Sequence, residues 1–300
     1  MAVDKQTIRQ EVITLIGNSA RISNANLDIL LEADNRSILG ITDWSNREGN
    51  TVITTNVQID VTGATVTESS TTVTSTDAAN SWIGRFARVG TEDDIYEVSS
   101  VNASTNATLS SIYVGDTDSS ANLTIIQLYY NLPSDCIYVT DIVSATNGYL
   151  DERSPEYLDD LDPGRKTNAS IPSEWSMAGT NSSNSNLPMI ELHPWATTNT
   201  PLRVTYVKDG LIPNDTDIVL YPSDLLKWKT AASACRYMAA TSNDNSRLWM
   251  ELAASYDSQY AISLRDAVKA ELPNMRKRRN IRARKRDRDV NRDRWARGRV

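Results

Sequence analysis

The last 27 residues, 274–300, set the tightest limit on how this chain can fold. They hold thirteen Lys and Arg against three Asp (Asp287, Asp289, Asp293), a net charge of +10. Their apolar residues, Met275, Ile281, Val290, Trp295 and Val300, are too few to bury a core. The stretch must stay solvated or fold against something negative. Because the whole chain carries −7, the first 273 residues carry −17. An acidic body therefore ends in a basic tail.

Three hundred residues allow one to three domains and a sizeable core. The start, MAVDKQTIRQ, lacks the apolar core of a signal peptide. No run approaches the roughly 18 apolar residues of a membrane span, so no membrane partner is expected. Cys136 and Cys235 stand far apart without metal spacing and read as free, buried thiols.

Apolar groups at Ile8, Val12, Leu15 and Ile16 predict a helix over 4–16, stopped by Gly17 and Asn18. Leu27, Leu30, Leu31 and Ile38, interrupted by Asp34, predict a second over 24–39, with Gly40 as its stop. The short link between them suggests a helical hairpin. From about 51 the chain becomes Thr/Val alternation with turn-rich spacers, which predicts a small all-β sandwich or barrel over 50–130. Its expected core is Trp82, Phe86, Val89, Ile95, Val98, Leu109 and Ile125. The acidic turn 92–94 reads as a solvated hairpin tip.

Leu132-Pro133-Ser134-Asp135 breaks that pattern. A strand is expected over 137–144 and a turn at Asn147-Gly148. Ser154-Pro155-Glu156 has the form of a helix start, opening a short helix that stops at Pro163-Gly164. A polar loop with its tip at 179–184 precedes strands at 189–192 and 202–207. Two helices close the body, one capped by Ser223 and one over 246–272, ended by Pro273. The whole is an α+β fold. A helical core from the N- and C-terminal helices (1–49 and 131–273) carries an inserted all-β module (50–130) and an extended basic tail (274–300).

Little catalytic equipment is visible. The single histidine, His193, excludes a His-pair metal site. A Ser-His-Asp arrangement around it has no Gly-x-Ser-x-Gly string to support it, and His193 reads as a packing or surface residue. P-loop and dinucleotide strings are absent. Asp151, Glu152, Glu156, Asp159, Asp160 and Asp162 offer the carboxylates a glycosidase needs, but read as a solvated helix face. No catalytic residue, metal ligand or cofactor is therefore assigned. Three readings of the tail stay open: a phosphate clamp, a solubilising tail, and a segment that inserts into an acidic groove and orders there. Ile281, Val290 and Trp295 favour the third, and the interleaved Asp residues weaken the first.

The order of these segments resembles the head-to-tail adaptor, or head-completion, proteins of tailed bacteriophages. The likeness is carried by the helical segment Leu27-Asp28-Ile29-Leu30-Leu31-Glu32-Ala33-Asp34-Asn35 and the Thr/Val-rich module after it. It continues in Leu132-Pro133-Ser134-Asp135, Leu187-Pro188-Met189-Ile190-Glu191-Leu192-His193-Pro194 and Leu202-Arg203-Val204-Thr205-Tyr206, then the helical pair after Pro222 and the charged tail. Cys136 departs from the aromatic expected after the Leu-Pro-x-Asp turn. The resemblance implies a structural virion protein at the head–tail interface, assembled in the host cytoplasm. It implies a homo-oligomeric ring, usually of twelve copies, beneath the portal protein. A downstream tail protein (nozzle or tail terminator) would dock on it, and genomic DNA would pass through without sequence-specific binding. The portal-binding residues would then be Arg276, Arg278, Arg279, Ile281, Arg282, Arg284, Arg286, Val290, Trp295 and Arg297. Two alternatives stand beside this: a virion-associated cell-wall hydrolase using the acidic cluster, and a DNA-binding accessory protein using the tail.

Overall fold

The computed structural model describes residues 3–17, 22–42, 44–91, 94–102, 105–181, 186–241 and 245–297, with 275–297 described for backbone alone. The fold is α+β. Its elements are α1 (Lys5–Leu15), α2 (Asn24–Leu39), β1 (Glu48–Thr54), β2 (Ile59–Val66), β3 (Thr72–Thr74), β4 (Phe86–Val89), β5 (Ile95–Asn102), β6 (Asn106–Leu109), β7 (Asp118–Ile126) and β8 (Tyr129–Asn131). There follow β9 (Cys136–Ser144), β10 (Gly148–Tyr149), β11 (Asp151–Glu152), α3 (Pro155–Leu161), β12 (Asn168–Ala169), β13 (Glu174–Asn181), β14 (Leu187–His193), β15 (Trp195–Ala196), β16 (Pro201–Lys208), α4 (Ser223–Thr241) and α5 (Ser246–Arg297). Contacts divide the chain into two units, Met1–Glu48 with Asp209–Val300, and Gly49–Lys208. The boundary expected at 131 therefore falls at 208: the strands after Leu132 belong with the barrel and not with the helices.

The first unit is built on helices. Asp4 caps α1 by accepting the Thr7 amide at 2.7 Å, and Ser23 caps α2 through the Asn26 amide. Ile8, Val12 and Ile16 meet Leu27, Leu31 and Ile38 in one core with Leu225, Cys235 and Met238 of α4 and Trp249 of α5. Helices α1 and α2 pack chiefly on α4 and much less on each other, so the expected hairpin is replaced by two helices on a shared partner. The reason is the wide apolar face of α4, which offers buried positions from Leu225 to Met238. Both cysteines are free and buried.

One polar group sits awkwardly in this core. Asp34 is 8% exposed, and its Oδ2 has no hydrogen-bond partner. Burial raises its carboxyl above the usual range, against the pull of Ser233, Lys229, Thr230 and Arg236. A raised acid is neutral in both states at low pH and costs stability once the unfolded chain ionises first. Asp34→Asn is thus expected to stabilise the helical unit by about 1 kcal/mol at neutral pH. The gain should shrink as pH falls below the ordinary Asp range, and denaturant titrations of both proteins across that range read it. A variant less stable than wild type at pH 7 would show that the carboxylate's hydrogen bonds outweigh its desolvation.

Helix α5 does not stop at Pro273: the proline lies inside it. Proline removes one backbone hydrogen bond and crowds the preceding turn, at about 3 kcal/mol. The sequence beyond it is rich in Arg and Lys, with no second proline and no glycine before Gly298, so nothing reinforces the stop. At 1.5 Å per residue, the 52 residues of α5 span about 78 Å.

In the second unit, β2-β3-β6-β5-β4-β7 close into a barrel. Trp82, Val89, Val98, Leu109 and Ile125 lie in its core, as expected. Phe86 and Ile95 do not. They pack outside it against Ile126, Leu128 and Trp195, while their neighbours Ala87 and Tyr96 face inward. Strand alternation assigns the face, and both faces of β4 are covered, so side-chain size misleads there. Two four-stranded sheets, β1-β16-β9-β10 and β11-β13-β14-β8, enclose a separate core around Trp175, Ile142, Ile190 and Val204. The polar loop expected before 184 is in part a strand, β13, running to Asn181. The rest of its tip, like the turn residues Glu92 and Asp93, lies outside the described residues.

Candidate functional site

The ten residues expected to bind a portal, Arg276, Arg278, Arg279, Ile281, Arg282, Arg284, Arg286, Val290, Trp295 and Arg297, all fall on the C-terminal part of α5. Their backbone is helical, while their side chains lie outside the described residues. The helix that carries them is fixed at its N-terminal half. Trp228 of α4 stacks on Tyr256 with ring centroids 5.9 Å apart, and the Tyr256 hydroxyl donates to the Leu15 carbonyl at 2.8 Å. Near Pro273, Glu271 accepts hydrogen bonds from the Ser45 amide and hydroxyl at 3.2 and 2.8 Å. The basic segment thus continues a helix whose base is packed.

The acidic cluster does not assemble into one site. Asp162, at the C-terminal end of α3, accepts the amides of Lys166 and Thr167 at 2.8 and 2.7 Å. Burial pushes its carboxyl up, but these donors and His193 outweigh it and hold it below the usual range. Glu156, in the first turn of α3, is also lowered, through its own backbone amide and Ser154. Asp159 pairs with Arg165 at 2.5 Å, and Asp151 lies 3.6 Å from Arg153. Glu152 and Asp160 are exposed. A general acid for glycoside cleavage needs a raised carboxyl, and both resolved shifts in this set run downward.

His193, at the end of β14, is 4% exposed. Its Nε2 lies 3.4 Å from Asp162 and its Nδ1 3.5 Å from Glu174, which also accepts from Arg153 at 3.1 Å. A nucleophile triad needs one ring nitrogen on a hydroxyl or thiol. Here both nitrogens face carboxylates. No group of metal-ligating side chains occurs among the described residues.

A linear reading misses the centre of this network, Arg165. Its guanidinium donates to Glu191 at 2.6 Å, to Asp159 at 2.5 Å, and to the carbonyls of Leu158 and Asp162 at 3.1 and 2.7 Å. Its own carbonyl accepts from the Trp195 indole at 3.0 Å and from Arg88 of β4, which also bonds the Gly164 carbonyl at 2.7 Å. Backbone φ at Arg165 is +49°, a left-handed turn that brings these groups together. The network ties the turn after α3 to the barrel and to β14. Its carboxylates Glu191, Asp159 and Asp162 are engaged in hydrogen bonds within the fold. No protein-family model matches the sequence, and a search among curated proteins finds no match.

Proposed function

We propose that this chain is a structural adaptor of a tailed bacteriophage. It forms a homo-oligomeric ring that joins the portal vertex to the tail and extends the DNA channel. The observation that carries the reading is α5, a 52-residue helix that leaves a packed base and carries a net charge of +9 over residues 274–297, in a chain whose first 273 residues carry −17. Such a helix suits a groove lined by carboxylates on a portal, where the planar fork of arginine makes paired hydrogen bonds. Charge supplies the encounter rate, and a few apolar points set the register. In this reading the helices from both chain ends form the adaptor core, and the β unit is inserted between them along the chain. An acidic body lets DNA pass without sticking, since like charges repel.

The helical backbone sharpens the anchor. At about 100° per residue, positions 281 and 295 fall within about 40° of each other, and position 290 lies across the helix. Ile281 and Trp295 are therefore the paired anchors, with Val290 outside the pair. Trp295→Ala is expected to weaken portal binding by about 2 kcal/mol and to leave affinity for free duplex DNA nearly unchanged. Mass measurement of the purified protein, alone and with its portal, tests the ring directly. A monomer that ignores the portal but binds duplex DNA with a steep salt dependence identifies a DNA-binding accessory protein instead.

A further inference from the structure

One end of the barrel presents two aliphatic side chains to solvent on a fixed loop. Ile112 and Val114 are 53% and 62% exposed, and Tyr113 between them is 2% exposed. The Tyr113 ring meets Tyr96 edge-on, with centroids 5.6 Å apart. Its amide donates to the Ser70 carbonyl and its carbonyl accepts the Ser69 amide, both at 2.8 Å. The Val114 amide donates to the Tyr96 hydroxyl at 3.3 Å, and the Glu68 amide to the Thr117 hydroxyl at 3.0 Å. Two loops are thus tied together with Tyr113 as the plug, and the aliphatic pair on either side of it stands exposed. Isolated exposed aliphatics are ordinary on a protein surface, but a pair flanking a rigid anchor is ready to bind at small entropic cost.

Charge restricts what can cover this pair. The two loops contribute Glu68, Asp116 and Asp118, all exposed. No Lys, Arg or His stands between Arg88 and Arg153, while ten Asp and Glu do. The barrel's own Arg85 and Arg88 are turned to the carbonyls of Val57 and of Gly164 and Arg165. Nucleic acid and anionic lipid are repelled, and so is the acidic body of a second copy. A basic protein surface with an apolar slot is the complementary occupant.

We propose that this end of the barrel docks the next structural protein of the assembly through such a surface, an inference that rests on the adaptor reading above. To test it, filled tail-less heads are completed with the full chain carrying Ile112→Asp and Val114→Asp, then mixed with purified tails of the same virion. The variant is expected to fold and join the portal like wild type, and tail attachment is expected to fall at least about tenfold, a loss of about 1.4 kcal/mol. The milder Ile112→Ser, Val114→Ser pair should show a smaller loss if the acidic substitutions disturb folding. Charge reversal at Glu68, Asp116 and Asp118 to Lys should weaken attachment and flatten its salt dependence. Normal tail attachment by both aliphatic variants overturns the proposal and leaves the adaptor reading standing. A changed oligomeric mass of the isolated variant makes a second copy the occupant and also overturns it. Failure of the wild-type chain to join the portal removes the adaptor reading and the proposal together.

Discussion

Arg165→Ala is expected to destabilise the unit formed by residues 49–208 by about 3–5 kcal/mol, the cost of leaving a buried charge without its partner. The stranded charge is Glu191, whose side chain is 4% exposed and which pairs with Arg165 at 2.6 Å. Asp159 loses the same partner at little cost, because its side chain is 67% exposed and water replaces the guanidinium. The Leu158 and Asp162 carbonyls lose donors as well. Alanine keeps the Cβ, so the strain of φ +49° at this position is unchanged and the loss reports the side chain. For a unit of this size the shift in melting temperature is roughly 6–20 °C. Thermal unfolding of the full chain should show it as an earlier transition of the β unit. Pairing Arg165→Leu with Glu191→Leu removes both charges and should recover much of the loss. A single-variant loss below about 1 kcal/mol would mean that water reaches Glu191 and that the network is not closed.

The helical ends of this chain were legible because their signals are local. Gly40 sits where a helix stops, and Ile8 with Val12 and Leu31 with Ile38 repeat at helical spacing, whereas the caps Asp4 and Ser23 are seen only in the structure. The barrel was legible as alternation, and most of its core followed from that. What was not legible depends on distance in sequence. Arg88, Arg165 and Glu191 are separated by 77 and 26 residues along the chain, and no spacing rule links them. The same holds for the border at 208, since β16 joins β9 across the whole of 145–200. Strand β13 was hidden by its polar end at Gly179-Thr180-Asn181, which resembles a turn. Pro273 misled for the opposite reason: a strong local stop signal was outweighed by the helix formers that follow it.

On the adaptor reading proposed above, removing residues 274–300 is expected to leave the body folded and to abolish attachment to the portal. The cut lies beyond what the core needs: Ala267 is the last buried residue of α5 among the described residues, and Glu271 still reaches Ser45. It also removes Pro273 from the interior of a helix, since the proline then stands at the chain end where its missing hydrogen bond matters little. Far-UV circular dichroism and thermal unfolding of the truncated protein should therefore show a body of unchanged stability, with the helical signal reduced by the lost segment. Portal binding should disappear, because the remainder carries −17 and has no comparable basic stretch to offer a carboxylate-lined groove. The full-length chain supplies the contrast. As a phosphate clamp, each neutralised phosphate adds about 0.9 to the salt slope on duplex DNA, so a stretch with thirteen Lys and Arg would give a steep one. As a protein anchor, Asp287, Asp289 and Asp293 keep that slope shallow, and the portal complex depends on Trp295 as well as on charge. Normal head completion by the truncated chain, or a steep DNA slope that Trp295→Ala leaves untouched while portal binding is also untouched, transfers the basic helix from the portal to nucleic acid.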